Sequence, residues 1–421
     1  MNSVMLELTD ERSASLGRLV HAWLAQHGRP DIDPESAIDV REVEVLRSER
    51  PSILDLIATV DGRAAHAVLG LHRAQEEARS LRNGEELVLG LFEDQYGPAV
   101  VVDALGDADL APLVLSAVTG GEPEEPASPL SCDELGVVLA LGDKVSLTVF
   151  PWLVDGPHPG VEMLVALDEA GFNHLPAPLA LWRRGGRDLG IVQELLLGSA
   201  QGWELARTSL RDLFASGHSP DEAGADFASE ARSLGTMTAR MHLALDRAFG
   251  RRSARVSDWA EGVEATLREL DPLVLEAPDV AQTLDSLKST QGSSSEIRTH
   301  GDFHLGRTAR TDHGWVVSDC MPGGHLQGSG EAEPRSPLGD VADMLWSFHH
   351  VAAVSVTERD SSGQSALTAL GGAWEARNRR AFLSGYLATP GIGSLVPTDR
   401  EVVRNLAACF ELERAALRPA E

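Results

Sequence analysis

The spacing of apolar residues changes near residue 198, and this change limits the folds that the chain can adopt. Between residues 53 and 195, short apolar runs are separated by turns, a pattern that is typical of β-strands. Beyond Gly198, apolar residues recur every three or four positions, as they do on one face of a helix. Two sets share such a face: Leu234, Met237, Met241 and Leu245, and also Leu338, Val341, Leu345 and Phe348. Strands that precede helices, rather than alternate with them, predict an α+β fold.

The first 120 residues contain one amphipathic helix and two predicted β-hairpins. The helix covers residues 1–28, in which Leu16, Val20 and Trp23 lie at helical spacing. The hairpins pair residues 53–60 with 65–71 and residues 86–92 with 99–104. Because no set of polar residues in this part suggests a catalytic site, we predict that residues 1–120 form a β-rich cap.

A second, smaller β-rich domain is predicted for residues 132–197. It follows residues 120–131, a stretch rich in Gly, Pro and acidic residues that we interpret as a linker or exposed loop. The expected elements are strands at 135–141 and 145–150, a helix at 160–170, and strands at 180–182 and 189–195. Residues 198–421 predict a helical domain with one short strand at 315–318 and polar loops at 286–295 and 360–365.

The charge of the chain excludes one class of partner. It has 36 Lys and Arg against 64 Asp and Glu, a formal net charge of −28. Such an acidic surface repels a phosphate backbone, so we expect no nucleic-acid partner.

No run of about 18 apolar residues predicts a membrane span, so we expect no membrane partner either. The separated cysteines Cys132, Cys320 and Cys409, and an N-terminus without the features of a signal peptide, favour a cytoplasmic location.

One loop of the predicted helical domain holds the most unusual polar cluster, Thr299-His300-Gly301-Asp302-Phe303-His304. Asp319 follows the predicted strand at 315–318. Phosphoryl transfer needs one carboxylate that accepts the proton of the substrate hydroxyl and another that holds magnesium against the phosphates. The cluster therefore favours a phosphotransferase. A metal hydrolase is an alternative, in which a divalent ion is held by His300, Asp302, His304 and Asp319.

Three longer motifs surround this cluster: RTHGDFHLG at 298–306, RTDHGWVV at 310–317 and PRSPLGDVA at 334–342. Shorter ones lie at 169–172, 192–194, 202–205, 241–245 and 410–413. Together these motifs resemble those of the actinobacterial maltokinases and the related glucosamine kinases, which share the aminoglycoside phosphotransferase fold. The resemblance covers about residues 135–415. It implies a bilobal, protein-kinase-like α+β fold with an N-terminal cap at 1–120, a small nucleotide lobe at 132–197 and a helical acceptor-binding lobe at 198–421.

The resemblance also implies two cofactors, ATP and magnesium. Asp302 matches the catalytic base, and Asp319 matches the carboxylate that binds magnesium. The hinge, whose backbone would contact adenine, corresponds to Gln193, Glu194, Leu195 and Leu196. Glu162 matches the residue that orients a phosphate-binding lysine on a strand of the nucleotide lobe.

The chain departs from the family at three of these positions. Thr148 stands where the strand lysine is expected, and Lys144 lies four residues earlier at a turn. Arg307 occupies the position of the second magnesium ligand, and because a guanidinium cannot bind a metal, we expect Arg307 to contact the nucleotide phosphate. The family sequence Asp-Phe-Glu-Gly-Glu-Pro is replaced by DCMPGG at residues 319–324.

These departures bear on the choice of acceptor. Glucosamine carries an amine that acidic side chains can bind, and Glu331 and Glu333 lie near the kinase motifs. The residues that we assign to the acceptor are His304, Trp374, Glu411 and Glu413. The sequence thus predicts an ATP-dependent phosphotransferase that acts on a hydroxyl of a small sugar, with glucosamine favoured over maltose. The alternative is a degenerate kinase-fold protein that binds a sugar or a partner, or that uses the pocket for a different reaction.

Overall fold

The computed structural model describes residues 4–6, 8–27, 33, 36–73, 88–94, 97–121, 127–132, 136–222, 227–320, 333–359 and 364–417. The chain divides into two compact units. The β-rich unit consists mainly of Met1–Glu162 and Ala177–Leu197, and the helical unit mainly of Met163–Pro176, Gly198–Gln327 and Glu331–Glu421. The finer division into a cap, a nucleotide lobe and an acceptor lobe stays a prediction.

The first sheet of the β-rich unit is antiparallel, with the strand order β1-β2-β3-β4-β6-β5 and with β10 also paired to β4. The strands are β1 Val4–Met5, β2 Ile38–Arg47, β3 Ser52–Val60, β4 Arg63–Arg73, β5 Val88–Asp94, β6 Gly97–Asp103 and β10 Trp152–Leu153. Both predicted hairpins are confirmed as β3–β4 and β5–β6. Asp61 and Gly62 both have positive φ at the β3–β4 turn, the geometry that a two-residue hairpin turn requires.

The N-terminal helix predicted at 1–28 is confirmed as α1, Asp10–Gln26, but the prediction was wrong at its start, because Val4 and Met5 pair with β2 as the strand β1. The helix begins where the Thr9 side chain accepts a hydrogen bond from the Arg12 backbone N–H, a common N-terminal cap. Its apolar face, including Leu16, Val20 and Trp23, is fully buried. A second short helix, α2, covers Ala111–Thr119.

The second sheet of the β-rich unit has the order β11-β12-β9-β8-β7. Its strands are β7 Ala127–Cys132, β8 Val137–Leu141, β9 Val145–Val149, β11 Pro178–Arg184 and β12 Arg187–Glu194. The helix α3, Pro159–Glu169, lies between β10 and β11 in the chain, as predicted. The interpretation of 120–131 as a linker was wrong at its end, because residues from Ala127 onward pair with β8. Backbone pairing there outweighs a composition that is typical of loops.

The helical unit contains seven long helices in the described residues: α4 Gly202–Ser216, α5 Ala228–Phe249, α6 Val256–Leu270, α7 Pro278–Ser289, α8 Leu338–Thr357, α9 Gln364–Ala388 and α10 Arg400–Leu417. Its strands are β13 Ala200–Gln201, β14 Arg251–Arg255, β15 Ser293–Ile297, β16 Thr308–Thr311 and β17 Gly314–Val317. The predicted apolar faces of α5 and α8 are buried. None of the described helices is long and apolar enough to cross a membrane.

Two predictions for the loops of this unit need comment. The prediction of a polar loop at 286–295 was wrong, because α7 continues to Ser289 and β15 begins at Ser293. Pairing with β14 forms β15 despite its serine-rich sequence, and Ile297 at its end is fully buried. The loop at 360–365 lies outside the described residues up to 363, and Gln364 begins α9. The strand at 315–318 is confirmed as β17, although it pairs with β16 rather than standing alone.

Helices α5 and α9 approach each other at two glycines. A methyl group on Gly235 would collide with the carbonyl oxygen of Phe382, and one on Gly385 would collide with the carbonyl oxygen of Arg232. Each helix therefore packs against the backbone of the other, and only glycine allows this approach.

Candidate active site

The polar cluster predicted from the sequence lies on a buried loop between β15 and a short 3-10 turn, Leu305–Arg307. Gly301 has φ of 80°, a left-handed conformation that favours glycine. The loop is held by one carboxylate of α8, Asp340, which accepts hydrogen bonds from the backbone N–H groups of His300 and Gly301, both at 2.8 Å. Phe303, fully buried, anchors the loop on the apolar side.

Asp340 is in turn held by side chains of α5 and α9. His242 Nε2 donates to Asp340 at 3.0 Å, and His242 Nδ1 accepts from the Tyr386 hydroxyl at 2.8 Å. Burial would raise the pKa of Asp340, but the hydrogen bonds from His242 and from the Gly301 N–H outweigh burial and hold this pKa below its usual value. The loop is therefore positioned by a chain of three buried polar side chains from three helices.

Asp302 is almost completely buried and faces two guanidinium groups. Its Oδ1 accepts a hydrogen bond from Arg414 Nη2 at 2.9 Å, and its Oδ2 accepts one from Arg307 Nη2 at 3.2 Å. His304 Nε2 lies 3.7 Å from the same Oδ2. Burial would raise the pKa of Asp302, but His304 and Arg414 outweigh burial and hold the pKa well below its usual range. Asp302 is thus ionised at any physiological pH.

Arg307 joins the two carboxylates that the sequence predicted as base and metal ligand. Its Nη1 donates to Asp319 Oδ2, while its Nη2 donates to Asp302. The Asp319 carbonyl also accepts a hydrogen bond from His300 Nε2 at 2.8 Å. Burial lowers the pKa of His300 to about 4, so this imidazole is neutral and carries its proton on Nε2.

The arrangement does not fit the predicted magnesium site. A metal ion at Asp302 and Asp319 would have to displace the guanidinium of Arg307 from both. Arginine has no lone pair with which to replace the missing ligand. Within the part of the chain that the structure describes, no group of three or more His, Cys, Asp and Glu side chains is placed to hold a metal ion.

A cavity of about 280 Å³ adjoins Asp302 in the helical unit. It is lined by Gly301, which precedes Asp302, and by Arg414, which binds it. Its acidic lining consists of Asp258, Glu296, Asp340, Asp343 and Glu413. Two aromatic rings, Trp259 and Phe410, also line it, with their centroids 6.5 Å apart in an edge-to-face arrangement. The cavity thus combines carboxylates with an apolar wall.

Asp343, which lines this cavity, has a strongly shifted pKa. Burial raises its pKa to about 8, although Arg414 Nη1, which lies 3.6 Å away, opposes the shift. At neutral pH Asp343 is therefore largely protonated and can donate a hydrogen bond.

The four residues that we assigned to the acceptor lie in different places. Glu413 lines the cavity, and His304 faces Asp302. Glu411 instead forms two hydrogen bonds with Arg379, at 2.6 and 2.7 Å. Trp374 is fully buried, and its indole N–H donates to Ser209 Oγ at 3.0 Å. The substrate roles of all four residues stay predictions, but only the first two adjoin Asp302 or its cavity. Glu331 lies outside the described residues, as does the segment 321–324 that replaces the family motif.

The residues that we assigned to the nucleotide lie in the β-rich unit, except for Arg307. Gln193 and Glu194 end β12, paired with Ser146 and Val145 of β9. Leu195 N–H donates to the Lys144 carbonyl at 2.8 Å, and Leu196 follows it. Thr148 is buried in β9 between Val138 and Ile191, and Glu162 lies on α3. Their contacts with adenine or phosphate stay predictions.

Arg414 is the functional residue that the sequence reasoning missed most clearly. It lies 112 positions from Asp302 in the chain, and its motif neighbours gave no sign of a role. A signal was nevertheless present, because Arg414 continues the apolar face of α10 formed by Val403, Leu406 and Phe410. A charged residue at a core position of an amphipathic helix needs a buried partner.

Comparisons with known proteins identify what the chain is similar to. No protein-family model matches the chain. A glucosamine kinase from Streptacidiphilus jiangxiensis is 29% identical over 375 residues, which are 80% of this chain and 81% of that protein.

Solved structures extend the similarity to nearly the whole chain. A glucosamine kinase in complex with glucosamine, ADP and inorganic phosphate superposes with a TM-score of 0.69 at 21% identity, covering 98% of this chain and 94% of that chain. A second crystal form of glucosamine kinase gives a TM-score of 0.67 over the same shares of both chains. The predicted α+β kinase-like fold is confirmed. The resemblance drawn from the sequence is therefore confirmed as well: the chain is a homologue of a glucosamine kinase and has the glucosamine kinase fold.

Proposed function

We propose that this protein is an ATP-dependent phosphotransferase that acts on a hydroxyl of a small sugar, with glucosamine as its acceptor. The observation that carries the proposal is the ionised, buried Asp302 beside a cavity lined by acidic and aromatic side chains. The homologous glucosamine kinase supports the same reaction class and acceptor.

Asp302 would accept a hydrogen bond from the acceptor hydroxyl and so orient its oxygen toward the transferring phosphoryl group. A carboxylate with a lowered pKa is a weak base in the ground state. Phosphoryl transfer proceeds through a loose transition state, however, in which orientation contributes more than early proton removal. Asp340 and His242 fix the loop, and this would keep the Asp302 oxygen in place.

The cavity suits an amino sugar better than a disaccharide. Its volume of about 280 Å³ lies at the lower end of small-molecule pockets, which favours a single sugar ring. A protonated amine would find carboxylate partners in Glu413 and Asp258, both of which line the cavity. Trp259 and Phe410 offer flat apolar surfaces to the C–H face of a sugar ring.

A second candidate is a kinase-fold protein that binds the sugar without phosphorylating it. Arg307 favours this candidate, because it holds both Asp302 and Asp319. Thr148 favours it as well, since a threonine supplies no charge at the position of the strand lysine.

Two measurements separate the candidates. ADP release is followed with ATP and glucosamine, glucose or maltose, and sugar binding is measured by calorimetry without nucleotide. We expect turnover with glucosamine to exceed that with maltose, and Asp302→Asn to lower it by about 100- to 10,000-fold. The matched control is Asp312→Asn, a change of an exposed carboxylate at the β16–β17 turn, which should leave turnover unchanged. Glucosamine binding without any ADP release would favour the second candidate, and a preference for maltose would contradict the proposed acceptor.

A further inference from the structure

Arg307 is held rigidly between the two carboxylates. Its backbone N–H donates to the His304 carbonyl at 2.9 Å, and its own carbonyl accepts from the Ser318 N–H at 2.9 Å. These two bonds fix Arg307 between the buried loop and the residue that precedes Asp319. Its side chain is only 15% exposed. The main chain of Arg307 is therefore fixed by these bonds, and its guanidinium is held by the carboxylates of Asp302 and Asp319.

The charges of the cluster balance without a metal ion. Two carboxylates, Asp302 and Asp319, face two guanidinium groups, Arg307 and Arg414. The formal charges of these four side chains sum to zero. A magnesium ion would add two positive charges to them, and it would have to break both hydrogen bonds of Arg307. Magnesium also demands near-octahedral oxygen coordination, and the two carboxylates are already engaged.

Arg307 still has hydrogen-bond donors to offer. A guanidinium carries five N–H donors, and the two carboxylates use one each on Nη1 and Nη2. Its Nε is buried and makes no hydrogen bond within the described residues, so the donors left for a ligand are the second N–H groups of Nη1 and Nη2. An oxyanion such as a phosphate is the ligand that best matches a guanidinium with free donors.

We propose that Arg307 takes the place of the divalent cation in this protein, so that nucleotide phosphate is bound by a guanidinium and not through magnesium. This inference rests on the proposed function, because it assumes that the ligand is ATP. In the transfer, the acceptor oxygen forms a bond to the γ-phosphorus. The bond from that phosphorus to the β–γ bridging oxygen breaks, and its electron pair leaves with ADP. The hydroxyl proton passes to Asp302 and then to water.

The test compares the wild-type protein with Arg307→Gln, which replaces the guanidinium by an amide whose oxygen can bind a metal, and with Arg310→Gln as a matched control. Arg310 lies on β16 and pairs with Glu230, away from both carboxylates. ATP affinity is measured by calorimetry in EDTA and in millimolar magnesium. Binding of Mn²⁺ to the protein without nucleotide is measured by electron paramagnetic resonance.

We expect the ATP dissociation constant of the wild type and of Arg310→Gln to change less than about twofold between EDTA and magnesium. Loss of a hydrogen bond to a charged group should weaken ATP binding by Arg307→Gln in EDTA by about 10- to 100-fold. Magnesium should restore much of this loss, and Mn²⁺ should bind only to Arg307→Gln, because its Asp319 is no longer covered.

Three results would overturn the inference. These are tight Mn²⁺ binding by the wild type, wild-type ATP binding that requires magnesium, and no ATP binding by the folded wild type under either condition. Failure of the proposed function has a different signature, namely ATP binding without ADP release in the presence of glucosamine. In that case the metal dependence of ATP binding still decides the role of Arg307.

Discussion

Replacing Arg414 by methionine should destabilise the protein and make Asp302 sensitive to acid. Arg414 and Asp302 are 6% and 1% exposed, and their hydrogen bond spans 2.9 Å. Removing one partner of such a buried pair typically costs about 3–5 kcal/mol, because the remaining charge stays buried. Arg307 and His304 still face Asp302, so we expect a loss of about 3 kcal/mol in the free energy of unfolding.

The loss is measured by urea denaturation at pH 7, with Arg404→Met as the matched control. Arg404 lies on α10 as well but is exposed, so its replacement should change the free energy of unfolding by at most about 0.5 kcal/mol. The double variant Arg414→Met with Asp302→Asn then measures the interaction energy between the two side chains, because part of the stability lost in Arg414→Met depends on the charge of Asp302. We expect Arg414→Met to cost much less in the Asp302→Asn background.

The pH dependence follows from the lowered pKa of Asp302. A carboxyl group whose folded-state pKa is depressed contributes stability above its unfolded pKa of about 4, and this stability is lost as pH falls through the folded-state pKa. In Arg414→Met the folded-state pKa rises, so the acid loss of stability and of turnover should begin at a higher pH than in the wild type. Equal stability of Arg414→Met and Arg404→Met, or strict additivity with Asp302→Asn, would refute this reasoning.

Two further predictions concern Asp343 and Tyr386. Burial raises the pKa of Asp343 to about 8, so the folded state binds its proton more tightly than the unfolded chain and loses stability as pH rises from about 4 to 8. Asp343→Asn should remove this loss. Measured by urea denaturation, the free energy of unfolding of the variant should rise relative to that of the wild type by up to about 4 kcal/mol between pH 5 and pH 8. The same difference between variant and wild type at both pH values would contradict the prediction. Tyr386→Phe leaves His242 Nδ1 buried without its donor, and should cost about 1–3 kcal/mol of stability and lower kcat more than the KM for ATP. Unchanged thermal stability and kinetics of that variant would show that the hydroxyl does not support the loop.

The elements that the sequence predicted best are those in which local signals agree. The β3–β4 hairpin combines alternating apolar residues with an Asp-Gly turn, and the helix α5 combines a long apolar face with good helix formers. The misses at β7 and β15 have a common cause. Both strands are polar or rich in serine, and each forms because a partner strand, β8 or β14, supplies its hydrogen bonds. Such pairing is not visible in a local window.

In the candidate site, too, the residues marked by a local sequence pattern were predicted and those brought in from a distant part of the chain were not. Asp302 and Asp319 were predicted because a short motif and a strand end mark them. Arg414 was missed because it reaches Asp302 from a helix at the end of the described chain. Arg307 was predicted as a phosphate contact, and only the structure shows that it lies on both carboxylates. A sequence motif identifies which side chains are present, whereas the charges that face them depend on the tertiary fold.

The close approach of α5 and α9 at Gly235 and Gly385 bears on how this protein could be altered. Tyr386 directly follows Gly385, and His242 lies about two helical turns beyond Gly235. Main-chain contact therefore sets the spacing between Tyr386 and His242, the side chain that holds Asp340. Because main-chain atoms form this contact, the spacing does not change when neighbouring side chains adopt other rotamers. Trp259, which lines the proposed acceptor cavity, belongs to α6, a different helix. If the proposed function holds, the cavity wall on α6 can therefore be varied by mutation while α5 and α9 keep the loop of Asp302 in position, so that acceptor selectivity can change without changing the placement of the proposed base.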